Sequence, residues 1–341
     1  MNTAARSATR LRPHRWTPPP APARAKQKVS TPPLPPVRRI ELPGPGPEDV
    51  VRGVDGAVYT GLASGEILRV ETDTAAVTTV ADTGGRPLGL HARQDGSLLV
   101  CDAERGLLRW PGPGRPIEVL ADEVEGRKLE FASNVVEDSG DGTIYFTASS
   151  TRWPLAQWLG DVFEHSGTGR LLRRTADGAV NILLDDLQFA NGVAFSPGGE
   201  SLIVAETAAY RLTRYWLHGP KTGTRETLAD NLPGFPDNIA LGSDGLIWVT
   251  LVSPRNPLLD ALLPLPGMLR TAAWALPDRW KPAPARTTWV LGVAMDGSIA
   301  HDLQRDGTDY AAVTGVVEHE GTLILGSLEE SAIAVTQVPR G

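Results

Sequence analysis

The side chains best suited to chemistry recur at one position: Glu48 in GPEDVV, Asn134 in FASNVV, Asn191 in FANGVA and Asp237 in FPDNIA. Each stands seven residues before a turn dipeptide, and the same count in two further stretches reaches the apolar Leu88 and Val313. In FPDNIA the pair Asp237–Asn238 opens an apolar, strand-like run, where an unpartnered carboxylate and amide would be costly to bury. Two carboxylates and two amides, with no histidine or cysteine among them, form a hard oxygen set. Such a set suits one calcium ion completed by water better than zinc or copper. Asn238 could supply a further oxygen or orient a bound water, and Asp49 could do the same or cap its strand. Taken singly, a residue such as Asn191 before Gly192 is explained by turn chemistry. Turn chemistry does not explain why four polar residues share one register.

The register comes from an internal repeat. Turn dipeptides precede strand-like runs at Asp55-Gly56, Asp95-Gly96, Asp141-Gly142, Gly198-Gly199, Asp244-Gly245 and Glu320-Gly321. Asp-Gly between apolar runs signals a hairpin, because glycine accepts positive φ. Five units continue into a third apolar run and most into a fourth, which makes four short strands per unit and a six-bladed β-propeller, an all-β fold. The propeller is expected over 41–341, with blade five stretched by an insertion at 253–285. No amphipathic helices of adequate length alternate with the strands, which excludes a two-domain α/β arrangement. In a propeller the ring positions converge on the central channel at one pole.

Two segments are expected to rise over that pole: TRWPLAQWLGDVFEHSG in blade three and the 253–285 insertion in blade five. Their Trp, Leu and Pro content suits a lid over an apolar cleft, with Trp153 and Trp158 as candidate substrate contacts. An oligomer interface or a membrane-touching patch would have a similar composition. No G-x-S-x-G elbow occurs. His165 and His319 have no companion at metal-ligand spacing, and Cys101 lies in a strand-like run, as a buried inert thiol does.

The 341 residues include 41% hydrophobic residues, 36 glycines and 29 prolines, as in a turn-rich globular protein. No apolar run is long enough to span a membrane as a helix. A single cysteine excludes an internal disulfide and fits a reducing, cytoplasmic setting. Residues 1–40 carry nine Lys or Arg and no acid; the remaining 24 bases face 40 acids, a formal charge of −16. A body so acidic is a poor nucleic-acid binder and a reasonable host for cations and a small-molecule substrate. The first 40 residues lack a signal-peptide apolar region and read as a disordered Pro/Arg-rich tail, with a targeting or phosphate-binding arm as the alternatives. Oligomeric state is not legible.

The stretches RPLG, DGTIYFT, FANGVAFS, VAETAAYRLTRYW, LPGFPDNI and HEGTLILGSL resemble the strictosidine synthase-like family across all six blades, nearest its bacterial members and the animal adipocyte plasma membrane-associated proteins. More distantly the ring is similar to that of the gluconolactonase (senescence marker) and paraoxonase families, calcium-dependent lactone and ester hydrolases. That resemblance implies metal ligands at Glu48, Asn134, Asn191 and Asp237, with Asn238 as a further ligand and Asp237 as general base. The catalytic glutamate of strictosidine synthase aligns with Thr314, and Glu318 is four residues too late. The paraoxonase catalytic histidine aligns with Leu88, and His91 is three residues too late. The family's Asn-Asp is Asn134-Val135 here, and its Thr-Asp-Ser-Ser is TASS with Ala148. These residues lead to the expectation of a calcium-dependent lactone or ester hydrolase. The alternatives are a ligand-binding propeller without catalysis and a condensing or cyclising enzyme.

Overall fold

A computed structural model describes residues 10–277 and 284–339. Six four-stranded antiparallel sheets form the blades. Their innermost strands are Val50–Arg52, Pro87–Ala92, Ala132–Glu137, Ala190–Phe195, Gly234–Leu241 and Val313–His319. The second strands carry the heaviest apolar load. Leu98, Leu99, Val100 and Cys101 in blade two are all at most 1% exposed, and each Leu or Val buried contributes about 1.5–3 kcal/mol. Outer strands such as Ala76–Asp82 are mostly exposed. The chain therefore forms the expected six-bladed all-β propeller, and no helix among the described residues is long and apolar enough to cross a membrane.

Blade six is completed by the N-terminal strand Arg38–Glu41, which pairs antiparallel with Ala332–Gln337. The propeller thus begins three residues before the expected boundary. No turn dipeptide announces this strand, because its partner comes from the other end of the chain.

The two insertions build one lid. In blade three, helix α1 (Trp158–Glu164) ends at His165 with φ 51°. In blade five, α2 (Pro257–Leu262) starts at Asn256, whose side chain accepts from the Leu258 and Leu259 amides ahead of a proline in the first turn. Helix α3 (Gly267–Trp274) follows. Trp274 meets the rings of both Trp153 and Phe163 at 5.7 Å, and the buried Arg270 donates to the Glu164 and Leu263 carbonyls. Gly160 lies so close to Trp153 that a Cβ would sit 2.3 Å from its ring. Of the 253–285 insertion, 278–283 fall outside the described residues.

The N-terminal segment corrects the expectation of a solvated tail, apart from residues 1–9, which are not described. From Arg10 onward it is a strap across the lid and blade five. The Arg12 amide donates to Glu164 Oε2, the His14 carbonyl accepts from Arg270, and Trp16 stacks on His165 at 4.2 Å. Proline cannot donate through its nitrogen but keeps its carbonyl, so a proline-rich chain stays extended and accepts. Pro19 O takes a bond from Arg255 and Pro20 O one from Asn231. Arg24 forks onto Asp302 and lies 4.6 Å over the Trp289 ring, while Leu11 and Leu34 are buried. Deleting residues 1–36 is therefore expected to lower the unfolding temperature by about 5 °C or more. Burial of Leu11, Trp16 and Leu34 is worth several kcal/mol at about 1.5–3 each, and each kcal/mol moves Tm by about 2–4 °C in domains of 150–250 residues. An unchanged melting curve on calorimetry would show that the strap does not dock.

Candidate active site

The innermost strands of blades two to six share a register shift at one place: between Pro87 and Leu90, Ala132 and Val135, Ala190 and Val193, Pro236 and Ile239, and Val313 and Val316. A bulge bends its strand and re-aims the side chains inside it. Two residues before pairing resumes stand Leu88, Ser133, Asn191, Asp237 and Thr314. Glu48 holds that place in blade one, where pairing begins at Val50. All of these except Thr314 line one cavity of about 300 Å³. A seven-residue count from the turn dipeptide reaches this ring in blades one, two, four and five. It slips by one residue in blades three and six, where the turns are longer (138–143) and shorter (320–321) respectively. Ser133, not Asn134, therefore faces the cavity.

Asn134 belongs to a second ring, one residue further along each strand: Asp49, Gly89, Asn134, Gly192, Asn238 and Gly315. Polar residues alternate with glycines for a steric reason. A Cβ on Gly89 would lie 2.4 Å from Asn134 Cα, one on Gly192 2.7 Å from Asn238 Cα, and one on Gly315 2.7 Å from Asp49 Cα. Three side chains fill this ring, and they bond to one another. Asn134 Nδ2 donates to Asn238 Oδ1 at 3.0 Å and to Asp49 Oδ2 at 3.3 Å, and Asn238 Nδ2 reaches both Glu48 oxygens at 3.2 Å. Asp49 also accepts from the Val50 and Leu90 amides. The structure thus brings Glu48, Asn134, Asn191, Asp237 and Asn238 together, but in two layers. Glu48, Asn191 and Asp237 are on the cavity wall, while Asn134 and Asn238 are behind it.

Three carboxylates are buried here with little compensating charge. Burial raises Glu48 to about 7, against the attraction of Arg86. Burial and the neighbouring Glu48 raise Asp49 to about 8. Asp237 is raised well above the usual carboxylate range by burial and by Glu48, although Asn191 Nδ2 donates to its Oδ1 at 2.6 Å. Arg86, itself buried, donates to the Gly46 carbonyl. Among the described residues no three of His, Cys, Asp and Glu stand close enough to hold an ion unaided, so a metal would need amide oxygens as well. The residues present fit such an ion. Glu48 and Asp237 supply charge, and an amide turned by 180° presents Oδ1 where its nitrogen now stands, as Asn191 can because Ser133 Oγ, which donates to it, can accept instead. A hard divalent cation would offset the carboxylate repulsion.

Most of the rest of the cavity is apolar, lined by Phe131, Phe189 and Phe235 from the blades and by Leu159, Val162 and Leu259 from the lid, with Thr207, Ser253, Asn256, Arg286 and Glu329 as its other polar residues. Phe131 and Phe189 adopt φ of 51° and 58°, an uncommon conformation for bulky residues that accumulates at functional sites. Sequence reasoning passed over these three phenylalanines, although the recurring Phe-x-polar pattern in FASN, FANG and FPDN announces them. Trp158 also lines the cavity, edge-on to Phe189. Trp153, the other candidate substrate contact, is instead fully buried in the lid's own core beside Trp274. Its apolar bulk fastens α1 to α3, away from the wall.

Comparison with known proteins settles the lineage. The strictosidine synthase family profile matches residues 134–220, and the strictosidine synthase-like N-terminal profile matches 34–70. The adipocyte plasma membrane-associated protein of Rattus norvegicus is 34% identical over 312 residues, covering 84% of this chain and 82% of its own. The strictosidine synthase-like 6 protein of Arabidopsis thaliana is 33% identical over 258 residues, covering 74% and 68%. The chain belongs to the strictosidine synthase-like family. Among solved structures this strictosidine synthase-like protein shares its fold with a gluconolactonase from Xanthomonas campestris (TM-score 0.64, 16% identity, 98% and 99% coverage). It shares it also with the calcium-binding protein regucalcin from Agrobacterium tumefaciens (TM-score 0.61, 16% identity, 89% and 94% coverage).

The departures from related sites have structural reasons. Thr314, which the resemblance aligns with the catalytic glutamate of strictosidine synthase itself, is fully buried, and its Oγ1 donates to the Glu48 carbonyl at 2.6 Å. It clamps a strand and has no acid to offer. Glu318 lies at the other end of its strand, where it accepts from Ser243 and the Gly321 amide. Leu88 packs with Phe131, Val162 and Phe189. His91 is paired with Leu99 in the sheet, and burial lowers it to about 4. Cys101 is buried, its thiol raised by burial and its Sγ directed at the Asn134 carbonyl, as expected of an inert thiol.

Proposed function

We propose that this protein is a calcium-dependent hydrolase of lactones or small carboxylic esters. The observation that carries the reading is the pairing of Glu48 and Asp237, buried on the wall of a lidded, mostly apolar cavity with only the attraction of Arg86 on Glu48 to offset their charge. Glu48 and Asp237 would hold the ion with the Asn191 oxygen, braced from behind by Asn134 and Asn238, whose Oδ1 atoms accept from the Val193 amide and from Asn134; when bound, it supplies Lewis-acid polarisation of a carbonyl and neutralises developing negative charge. Asp237, ionised once the cation offsets its repulsion from Glu48, takes the proton of the attacking water. Asn238 fixes Glu48 through its Nδ2, while Asn191, which holds Asp237 through a 2.6 Å bond in the metal-free protein, gives up that bond when its oxygen turns to the ion. The phenylalanines and Trp158 take up the substrate's apolar body, and the lid excludes bulk water.

The gluconolactonase and the calcium-binding regucalcin among the fold neighbours support this reading. The buried, clamped Thr314 speaks against acid–base condensation. A panel of lactones and aryl esters assayed on purified protein is expected to show turnover that chelation removes and calcium restores. Binding of panel members without turnover, with or without calcium, would make this a ligand-binding propeller instead.

A further inference from the structure

The outer face of the lid is apolar to an extent found nowhere else on the described surface. Leu258, Met268 and Leu269 are 68%, 82% and 52% exposed. Among residues 257–277 every exposed one is uncharged, and Thr271 is the only polar residue among them. The charged residues of the lid are turned to other uses. Asp260 pairs with Arg255, Arg270 is buried among carbonyls, and Asp161 and Glu164 on α1 are buried. Elsewhere the exposed large apolar residues, such as Val54, Val119 and Ile299, are spread singly over separate blades. A patch of this kind on a water-facing lid marks a contact surface.

Its neighbour identifies what it contacts. The strap crosses the lid beside α3, with Pro13 against Gly267 and the His14 carbonyl bonded to Arg270. Arg10, Arg12 and Arg15 of the strap are exposed, and the bonds by which it docks here use main-chain atoms. The first 40 residues hold nine basic residues and no acid, whereas the rest of the chain carries a formal charge of −16. The one strongly basic segment of an acidic protein therefore borders the one large apolar face among the described residues. That combination fits a surface both anionic and apolar, a lipid bilayer with acidic headgroups. A second copy of this acidic chain offers no matching negative partner at its own lid.

We propose that the lid and strap dock on anionic membranes, with Leu258, Met268 and Leu269 entering the interface and Arg10, Arg12 and Arg15 meeting the headgroups. Residues of the same lid, Leu159, Val162 and Leu259, line the cavity, so the element that docks is also the one that covers the site. This holds whichever reaction the site performs.

The test is flotation of the full chain with vesicles of phosphatidylcholine alone and of phosphatidylcholine mixed with phosphatidylserine. Wild type is expected to float with the mixed vesicles, at least tenfold more than with phosphatidylcholine, and to be released by high salt. Met268→Glu with Leu269→Glu should lower flotation at least tenfold while moving the melting temperature little, since Met268 stands in solvent and Leu269 is half-exposed. Reversing Arg10, Arg12 and Arg15 to Glu should abolish the preference for phosphatidylserine. Absence of wild-type flotation with either vesicle would overturn the proposal. So would a dimer in sedimentation equilibrium that the Met268/Leu269 variant dissociates, because the lid would then be a self-association face.

Discussion

Asp237→Asn is expected to abolish most turnover while making the metal-free protein more stable. The two effects have one origin. The Asp237 carboxylate is buried beside Glu48 and Asp49, and each raises the cost of its charge. The amide removes that repulsion and occupies nearly the same volume, so the metal-free variant should melt above wild type. The same replacement takes away the group proposed to accept the proton, whose loss typically costs about 10²–10⁴ in rate. It also takes away one of the two charges proposed to hold calcium, so calcium should raise the melting temperature of wild type much more than that of the variant. Activity has to be measured at saturating calcium to separate the base from the ligand. Full activity there would remove Asp237 from the mechanism. A metal-free variant less stable than wild type would show that Asp237 contributes more through its bond from Asn191 than it costs by repulsion.

The propeller was legible because its signal is local and repeated. Each Asp-Gly or equivalent sits between two strands that pair with each other, so turn chemistry, strand length and blade number agree. The ring was legible for the same reason, but only as far as turn lengths are constant. One extra residue in the blade-three turn and one fewer in blade six shift Asn134 and Val313 off the ring, and sequence spacing alone cannot register that. The glycines of RPLG, FANG and VTG carried information of another kind. They mark strands whose neighbours come within van der Waals contact at the axis, which is visible only once six strands are brought together. The strap was misread because its composition is that of a solvated chain. What docks it is a handful of anchors, Leu11, Trp16, Arg24 and Leu34, whose partners lie up to 300 residues away in sequence, so no window of the sequence contains both sides of any contact. Trp153 was misassigned for a related reason. A tryptophan in a lid segment can face the cavity or the lid's own core, and only the packing of α1 on α3 decides between them.

The metal-free protein should lose stability between about pH 6.5 and 8, and calcium should reverse that loss. A group whose folded pKa is raised binds its proton more tightly in the native state than in the unfolded one. Its contribution to stability is complete below the unfolded value, near 4 for these carboxyls, and disappears as pH rises through the folded value. For Glu48 and Asp49 the folded values lie at about 7 and about 8, and Asp237 is raised in the same direction. Below pH 6.5 the opposite contribution of two histidines, His91 partly buried and His165 buried, obscures this slope. His91 and His165 are lowered to about 4 and about 3 by burial, so they add stability as pH climbs to the ordinary histidine value. Above it they are neutral in both states, and the ring carboxyls dominate. Surface aspartates such as Asp55 and Asp95, held low by their partners, lose their contribution only in acid. Calcium needs the carboxylates ionised, so its affinity should climb over the window in which the metal-free protein weakens. Thermal scans at pH 6.5 and 8, with chelator and with excess calcium, should therefore show a calcium-induced rise in Tm that is larger at pH 8. A rise of equal size at both pH values would mean that calcium binds elsewhere, and a metal-free protein equally stable at both would mean that the ring carboxyls are ionised throughout.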